Sequence, residues 1–379
     1  MGARASPRRR RVAGREVKRT SRSGVGTRPR TRTKASAAAA APGPQRLLEI
    51  VRAMDGVSVA VVGDLVLDRY WFGRSSRISR EAPVLILEFE EERGVPGGAA
   101  NAAGNVRALG GRPLLVGRIG RDSAGTDLAR SIRSDGIDAR HLLRDGAGTI
   151  VKTRILAGSS HTSRQQIVRL DRGQRASVEE AGTRALERSI ATAIRSARAA
   201  LLSDYGYGVL GPATRAAAMR AARSADIPVV VDSRYALRSY RGASLLTPNE
   251  HEVRDAFHLP SLEVRGLVRA GEELRRRAAA SAVWITRGSD GMLVLERGRK
   301  PVHVPIVGTS DVADVTGAGD AVSAAATLAL AAGASQVEAA VLATYAASVV
   351  VMKRGTASVT RGELEAAIRR EPWPSAARS

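Results

Sequence analysis

The segment Asp314-Val315-Thr316-Gly317-Ala318-Gly319-Asp320, followed by the small-residue run Ala321-Val322-Ser323-Ala324-Ala325-Ala326, joins a glycine loop to a carboxylate at the mouth of a helix. Small residues let a ligand approach the backbone closely. The first N–H groups of such a helix have no partner within it and face outward as an anion site. Asp320 would then stand beside a phosphate held at Gly317, Ala318 and Gly319, placed to take the proton of a hydroxyl that attacks a phosphoryl group. The same residues also read as an aspartate set in a first turn for the helix dipole alone. Short glycine motifs by themselves leave both readings open.

Other polar residues fall at the ends of strand-like runs. Residues 57–63 form a β-branched, buried-type strand ended by glycine, and Asp64 and Asp68 follow it. Ligands of an open parallel sheet bind beyond the carboxyl ends of its strands, where two acids could hold a polyhydroxyl substrate; Asp64 would equally cap the turn. Asp204 and Asp232 end later strands on the same rim. Gly97-Gly98-Ala99-Ala100-Asn101 opens an alanine-rich helix, permitting close substrate approach with Asn101 as donor and acceptor, or simply starting the helix. In Asn249-Glu250-His251-Glu252, Asn249 and Glu252 share a helix face. Their oxygens suit Mg²⁺ reached through water, or a capping box. Residues 283–291, with Thr286, Gly288 and Gly291, read as a strand and a phosphate-friendly turn, or as an ordinary hairpin.

These residues need a scaffold. Strands are expected over 114–119, 149–156, 166–170, 199–203 and 228–231, and helices over 45–54, 123–134, 178–196, 212–225, 317–332, 335–352 and 361–370. Alternation of this kind implies crossover units and a mainly parallel sheet. A further strand-like run, 82–89, belongs to a small extra sheet.

Composition narrows the class. Hydrophobic residues make up 44% of 379, as in ordinary globular proteins. With no cysteine there is no disulfide, thiolate metal site or cysteine nucleophile, which suits the cytoplasm. The five histidines are scattered without zinc-site spacing. No apolar run approaches the roughly 20 residues of a membrane span, the residues 1–6 resemble a myristoylation pattern only by chance, and the arginines at 8–11 precede no apolar signal segment. Of the net charge of +23, residues 1–45 carry +12 in a stretch of Arg, Ser, Pro, Gly and Ala that cannot build a core. They are expected to be disordered, touching nucleic acid at most weakly, through charge alone.

Taken in order, the segments resemble the PfkB (ribokinase-like) sugar kinases from about Val57 to Glu363. Gly97 to Asn101 is similar to the family's sugar-side glycine signature, and Asp314 to Asp320 to its Asp-Thr-Thr-Gly-Ala-Gly-Asp signature, with Val315 at the variable place. Asn249 to Glu252 resembles its magnesium motif and Thr286-Arg287-Gly288 its phosphate turn. Within the family, Gly63-Asp64, Asp68-Arg69-Tyr70-Trp71-Phe72-Gly73, Ser76 to Val84, Gln165 to Asp171, Leu202-Ser203-Asp204-Tyr205 and Tyr240 to Asn249 are similar to D-glycero-D-manno-heptose-7-phosphate kinases.

The resemblance implies an α/β fold, a three-layer α/β/α sandwich with a small β lid near 84–92 and 149–170, over one domain of residues 46–371. It implies ATP and Mg²⁺, K⁺ near Asp314 and Thr316, a sugar-phosphate substrate and a homodimer paired through the lid. The activity implied is phosphorylation of the anomeric hydroxyl on the way to a nucleotide-activated heptose. Asp320 is then the base, Gly317, Ala318 and Gly319 the phosphoryl donors, and Asn249, Glu250, His251, Glu252, Thr286, Gly288 and Gly291 the nucleotide side. Asp64, Asp68, Gly97, Gly98, Asn101 and Asp204 would hold the sugar, with Arg77, Lys152 and Arg169 toward its phosphate. Such kinases are often fused to a nucleotidyltransferase, and this chain, ending at Ser379, is expected to be the kinase portion.

Three positions depart from the pattern: Tyr207 stands where a lysine is usual, Ser233-Arg234 where Pro-Lys is usual, and Thr344 replaces an asparagine near the adenine. They leave open another sugar, sugar phosphate or nucleoside as acceptor. A non-catalytic sugar- or nucleic-acid-binding protein on the same fold is the reading from a different class.

Overall fold

The computed structural model describes residues 42–158, 164–173, 180–308 and 312–373. Most of the basic N-terminal stretch (1–41) and the end of the C-terminal tail (374–379) lie outside them. The chain opens with α1 (Pro44–Ala53), β1 (Ser58–Gly63), β2 (Leu65–Ile78), β3 (Leu85–Gly98), α2 (Ala99–Ala108), β4 (Arg112–Gly120), α3 (Ser123–Ser134) and β5 (Asp138–Asp145). It continues through β6 (Ile150–Gly158), β7 (Gln165–Arg172), α4 (Glu180–Arg195), β8 (Ala199–Asp204), α5 (Pro212–Ala225), β9 (Val229–Ser233) and β10 (Leu245–Leu246). Then follow α6 (Glu250–Phe257), α7 (Val264–Arg277), β11 (Ala282–Thr286), β12 (Met292–Glu296), β13 (Val302–Val304), α8 (Ala318–Ala331), α9 (Gln336–Val350) and α10 (Arg361–Arg370).

Nine strands make one sheet in the order β13-β12-β11-β10-β9-β8-β1-β4-β5. It is parallel from β11 through to β5 and antiparallel where β12 and β13 add to one edge. Parallel sheets need cover on both faces, and the strand sequences supply it by alternation. Val59 and Val61 of β1 enter the core under α1, α2, α8 and α9, while Ala60 and Val62 enter the core under α4, α5 and α7. Helices α8 and α9 are buried along nearly their whole length and consist largely of alanine, so they lie close against each other and the sheet.

A second sheet, β3-β2-β6-β7, stands apart from the first. The chain enters it at Asp64, one residue after β1 ends, and returns through Gly97 and Gly98 into α2. Its longest strand pair, β2 with β3, carries two register shifts, after Phe72 and after Ser75. Strand β2 was not expected as a strand; its run of Arg, Ser, Tyr and Trp lacks the apolar alternation that announces one. Residues 283–291 belong to a hairpin, in which β11 and β12 pair antiparallel across that turn.

The main sheet reverses its strand order at β1 and β8, where the two carboxyl ends diverge. A crevice at such a point is where ligands of open α/β sheets bind. Here the second sheet arches over it.

Candidate active site

Asp320 occupies the first turn of α8, directly after Gly317, the N-cap, whose φ of +84° places it in the left-handed region. A side chain at Gly317 would also run into Asn101 Nδ2 at 2.8 Å, so only glycine fits. The Asp320 carboxylate is 3% exposed. Asn101 Nδ2 donates to one oxygen at 2.7 Å and the Tyr205 hydroxyl to the other at 3.0 Å. Burial raises its pKa to about 6, against the two hydrogen bonds that lower it. Asp320 therefore ionises near neutrality, as a general base should.

In front of Asp320 lies a cavity of about 350 Å³. Its floor is Gly317, Gly319 and Asp320, its far wall Asp68, Lys152 and Arg154 of the second sheet, and its third side Asp232, Arg234, Asn249 and Glu252. Asp68 pairs with Arg154 at 2.5 Å and accepts from the Thr356 hydroxyl at 3.3 Å. Lys152 is 9% exposed, and among the described residues its ammonium makes no hydrogen bond or ion pair; it stands over the rings of Tyr205 and Tyr207, 5.3 and 5.6 Å from their centroids. Burial, then the charge of Arg234, lower its pKa.

Asn249 and Glu252 form a reciprocal capping box at the start of α6, at 2.8 and 2.9 Å. Glu252 spends one carboxylate oxygen there and leaves the other toward the cavity. Burial raises the pKa of Glu252, and burial followed by the charge of Glu252 raises that of Asp232 well above the usual range. A carboxylate pushed up by burial and by a neighbouring carboxylate favours a cation beside it. Oxygen donors suit a hard divalent ion, so these residues fit one. No three His, Cys, Asp or Glu side chains among the described residues cluster as a metal cage, so water or phosphate oxygens must complete the coordination.

Several expected site residues stand elsewhere. Asp64 is 1% exposed and off the cavity; its carboxylate accepts the backbone N–H groups of Tyr205, Tyr207 and Val209 at 2.9–3.0 Å. It clasps the loop after β8 rather than a sugar. Asp204 touches the cavity, yet its oxygens accept from Gly206 N, the Ser233 hydroxyl and the Tyr240 hydroxyl. Arg77 and Arg169 are exposed and off the cavity, Arg169 pairing with Asp171 at 2.9 Å. Gly97 has its own necessity, because a Cβ there would meet Asp68 at 2.0 Å. Gly98 lines the cavity.

Of the residues expected to meet a nucleotide, Thr286 reaches the cavity, while Glu250 pairs with Arg287 at 3.2 Å and His251 is exposed. Gly288 and Gly291 form the turn between β11 and β12 with φ of +54° and +77°. Both oxygens of Asp314 accept backbone N–H groups, from Thr316 and Gly355 at 2.9 Å; burial pushes its pKa up, but the Thr316 side chain and these two N–H groups outweigh it and hold the pKa down. Ala318 lies in the helix turn behind the cavity floor.

Among the residues of the site that carried no assignment from the sequence are Arg154, Tyr205, Asp232 and Thr356. The signal for Arg154 was available, because Lys152 and Arg154 are two apart on one strand and so share a face. Tyr205 was hidden, since only the fold brings its hydroxyl to Asp320.

The sequence matches the family described as pfkB family carbohydrate kinase over residues 57–361. It is 43% identical over 315 residues to the bifunctional protein HldE of Azorhizobium caulinodans, covering 82% of this chain and 64% of that protein. It is 42% identical over 320 residues to HldE of Pseudomonas aeruginosa, covering 84% and 65%. The chain thus spans a little under two thirds of the length of these curated relatives. Among solved structures, phosphofructokinase-2 from Escherichia coli in complex with potassium matches with a TM-score of 0.67 at 19% identity, covering 83% of this chain and 99% of that one. Ribokinase from Arabidopsis thaliana complexed with ribose and ATP matches with a TM-score of 0.64 at 20% identity, covering 83% and 99%. These two likenesses bear on the fold, which is ribokinase-like.

Proposed function

The chain belongs to the pfkB family of carbohydrate kinases and is a phosphotransferase with an alcohol group as acceptor; from that premise we propose that it phosphorylates a sugar phosphate, D-glycero-D-manno-heptose 7-phosphate, at the anomeric hydroxyl. The observation that carries this reading is a pair facing one cavity: the buried carboxylate Asp320 and the buried ammonium Lys152, which lies over two tyrosine rings and is paired with no carboxylate among the described residues. The first suits a hydroxyl that must lose a proton. The second suits an acceptor that brings its own anion, because an ammonium this buried is costly until a charge meets it. The similarity to HldE over most of the chain supports the heptose.

In this reading Asp320 takes the proton of the hydroxyl, whose oxygen bonds to the γ-phosphorus of ATP as the bond to the β,γ-bridging oxygen breaks and ADP leaves. The N–H groups of Gly317 and Gly319, on the cavity floor, would face the transferring group, where donors at a helix N-terminus stabilise developing charge; the Ala318 N–H instead donates to the Val315 carbonyl at 3.3 Å. Asn249 and Glu252 would hold Mg²⁺, which neutralises phosphate charge when bound. Asp68 and Asn101 orient the sugar, and Lys152, with Arg234, meets its phosphate. K⁺ belongs beside the loop that Asp314 clasps.

We also assign the protein to the cytoplasm, where ATP is supplied. Among the described residues no helix is long and apolar enough to cross a membrane. A homodimer formed through the second sheet is supported by its exposed Ile78, Phe89 and Leu170, at 64%, 66% and 53%.

The test is turnover on a panel of sugars, sugar phosphates and nucleosides, with ³¹P NMR locating the new phosphate. Highest kcat/KM with the heptose 7-phosphate and a product phosphorylated at the anomeric carbon are expected. Preference for a fructose-type phosphate or a nucleoside, which Tyr207 and Arg234 make the competitors, would overturn the substrate assignment.

A further inference from the structure

Tyr205 was left without a role by the sequence, yet no residue of its loop is held more closely. Strand β8 delivers Asp204 and Tyr205 to the sheet rim, where the Asp64 carboxylate accepts the N–H groups of Tyr205, Tyr207 and Val209. Gly206 turns the chain with φ +81°, and a Cβ there would meet the Tyr235 ring at 2.7 Å, so glycine is required. Asp204, itself fixed by the Ser233 and Tyr240 hydroxyls, accepts the N–H of Gly206. The backbone on both sides of Tyr205 is therefore fastened.

The ring is held as well. The Arg234 guanidinium lies 4.6 Å from its centroid and the Lys152 ammonium 5.3 Å. Held this way, the hydroxyl can reach one acceptor, Asp320 Oδ1 at 3.0 Å. The opposite oxygen of Asp320 is held by Asn101, whose own side-chain oxygen accepts from Asn105 at 3.3 Å.

We propose that Tyr205 is a positioning residue for the base: its hydroxyl, with Asn101, fixes the plane of the Asp320 carboxylate and keeps it ionised in a buried site. The inference rests on the reading of Asp320 as the base.

A carboxylate oxygen has two acceptor directions. With one used on each oxygen, the remaining lone pairs are aimed rather than free to rotate. When the substrate hydroxyl gives up its proton to Asp320, the tyrosine keeps donating to an oxygen that still accepts, so no hydrogen bond is lost during transfer. The hydroxyl also works against burial. The charged and titratable groups around Asp320 are Asp68 on β2, Lys152 and Arg154 on β6, Asp204 on β8, Asp232 and Arg234 at the end of β9, and Glu252 on α6. Burial and the charge of Asp68 raise its proton affinity, and the charge of Arg234 opposes them. Removing a donor from this balance raises it further.

The experiment is Tyr205→Phe, which removes one oxygen and keeps the ring between its cations. With saturating ATP and sugar phosphate, kcat should fall about 10- to 100-fold. The acid limb of the kcat–pH profile should move to higher pH, and KM for ATP should stay within about twofold. Tyr205→Leu, which also loses the ring, should show the same displaced limb with a further loss of thermal stability. An acid limb unmoved in both variants, whatever the change in melting temperature or KM, would overturn the inference, because a merely structural tyrosine would not set that limb.

Asp320→Asn, measured alongside, separates the two readings. If it abolishes turnover while Tyr205→Phe leaves the profile in place, positioning alone fails. If it keeps full turnover, the base assignment fails first.

Discussion

A buried carboxylate is a stability liability, and the size of the liability follows from the site. Asp320 has a pKa of about 6 in the folded protein against an ordinary 3.8. At ~1.4 kcal/mol per pH unit, that difference is roughly 3 kcal/mol of native-state stability lost once the group ionises. The folded-state pKa is raised, so the favourable side is acid: below pH ~4 the group is protonated folded or unfolded and nothing is lost, and the loss grows as pH rises through 6. Asp320→Asn should therefore stabilise the protein at pH 8 by about 1–3 kcal/mol, the lower end allowing for the amide facing the Asn101 donor. Its advantage should shrink toward zero as the pH is lowered from 6 to 4. The same variant should lose about 10²- to 10⁴-fold in kcat while still binding nucleotide. Denaturant melts of both proteins across this pH range, with turnover on the same preparations, are the assay. A variant whose stability difference from the parent does not change between pH 8 and pH 5 would refute the burial argument, and one that keeps its turnover would refute the base.

Three further outcomes are expected. Lys152→Met should raise KM for a phosphorylated sugar about 10- to 100-fold, the value of a charge-assisted hydrogen bond, leave KM for ATP unchanged and not lower the melting temperature; a destabilised variant with an unchanged KM would contradict the anion role. Glu252→Gln keeps an oxygen to accept the Asn249 N–H but loses charge, so the Mg²⁺ concentration for half-maximal turnover should rise about tenfold with the melting temperature held, and an unchanged metal dependence would remove Glu252 from the ion. Asp64→Asn should cost about 2 kcal/mol or more of stability, because it weakens charged hydrogen bonds to three backbone N–H groups; a variant of unchanged stability with only a higher sugar KM would restore Asp64 to the substrate.

What could be read from the sequence was what depends on local chemistry. The glycine loop into α8 was legible because only small residues allow its backbone conformation, and the structure shows Gly317 with no room for a Cβ. The buried strands were legible because parallel pairing demands continuous apolar runs. What was not legible depends on where two sheets meet. Asp64 and Asp68 are four apart and chemically identical, yet Asp64 lies at the break between β1 and β2 and turns inward to a loop, while Asp68 lies within β2 and faces the cavity. Nothing in their side chains separates them. Helix α7 is a different case: its buried Leu267, Ala270, Gly271 and Leu274 follow a 3.6 period that was there to be read, masked by seven arginines and glutamates around them.

The two departures at the sugar end meet at one atom. Tyr207 stands where the resemblance leads one to expect a lysine, and its ring lies 5.6 Å from the Lys152 ammonium. Arg234, the other departure, lowers the pKa of Lys152 by its charge. A lysine at 207 would add a third cation to the same corner and depress Lys152 further. Tyrosine instead offers a π face and a hydroxyl, which attract the ammonium without competing for its proton. Beside Arg154, which is paired with Asp68, the corner thereby keeps two further cations that reach the cavity, Lys152 and Arg234, rather than three that repel one another. Reversing one departure tests this balance: Tyr207→Lys should lower the pH at which binding of the phosphorylated sugar is lost on the alkaline side, because Lys152 would shed its proton sooner. An alkaline limb that stays in place would show that Tyr207 and Lys152 act independently.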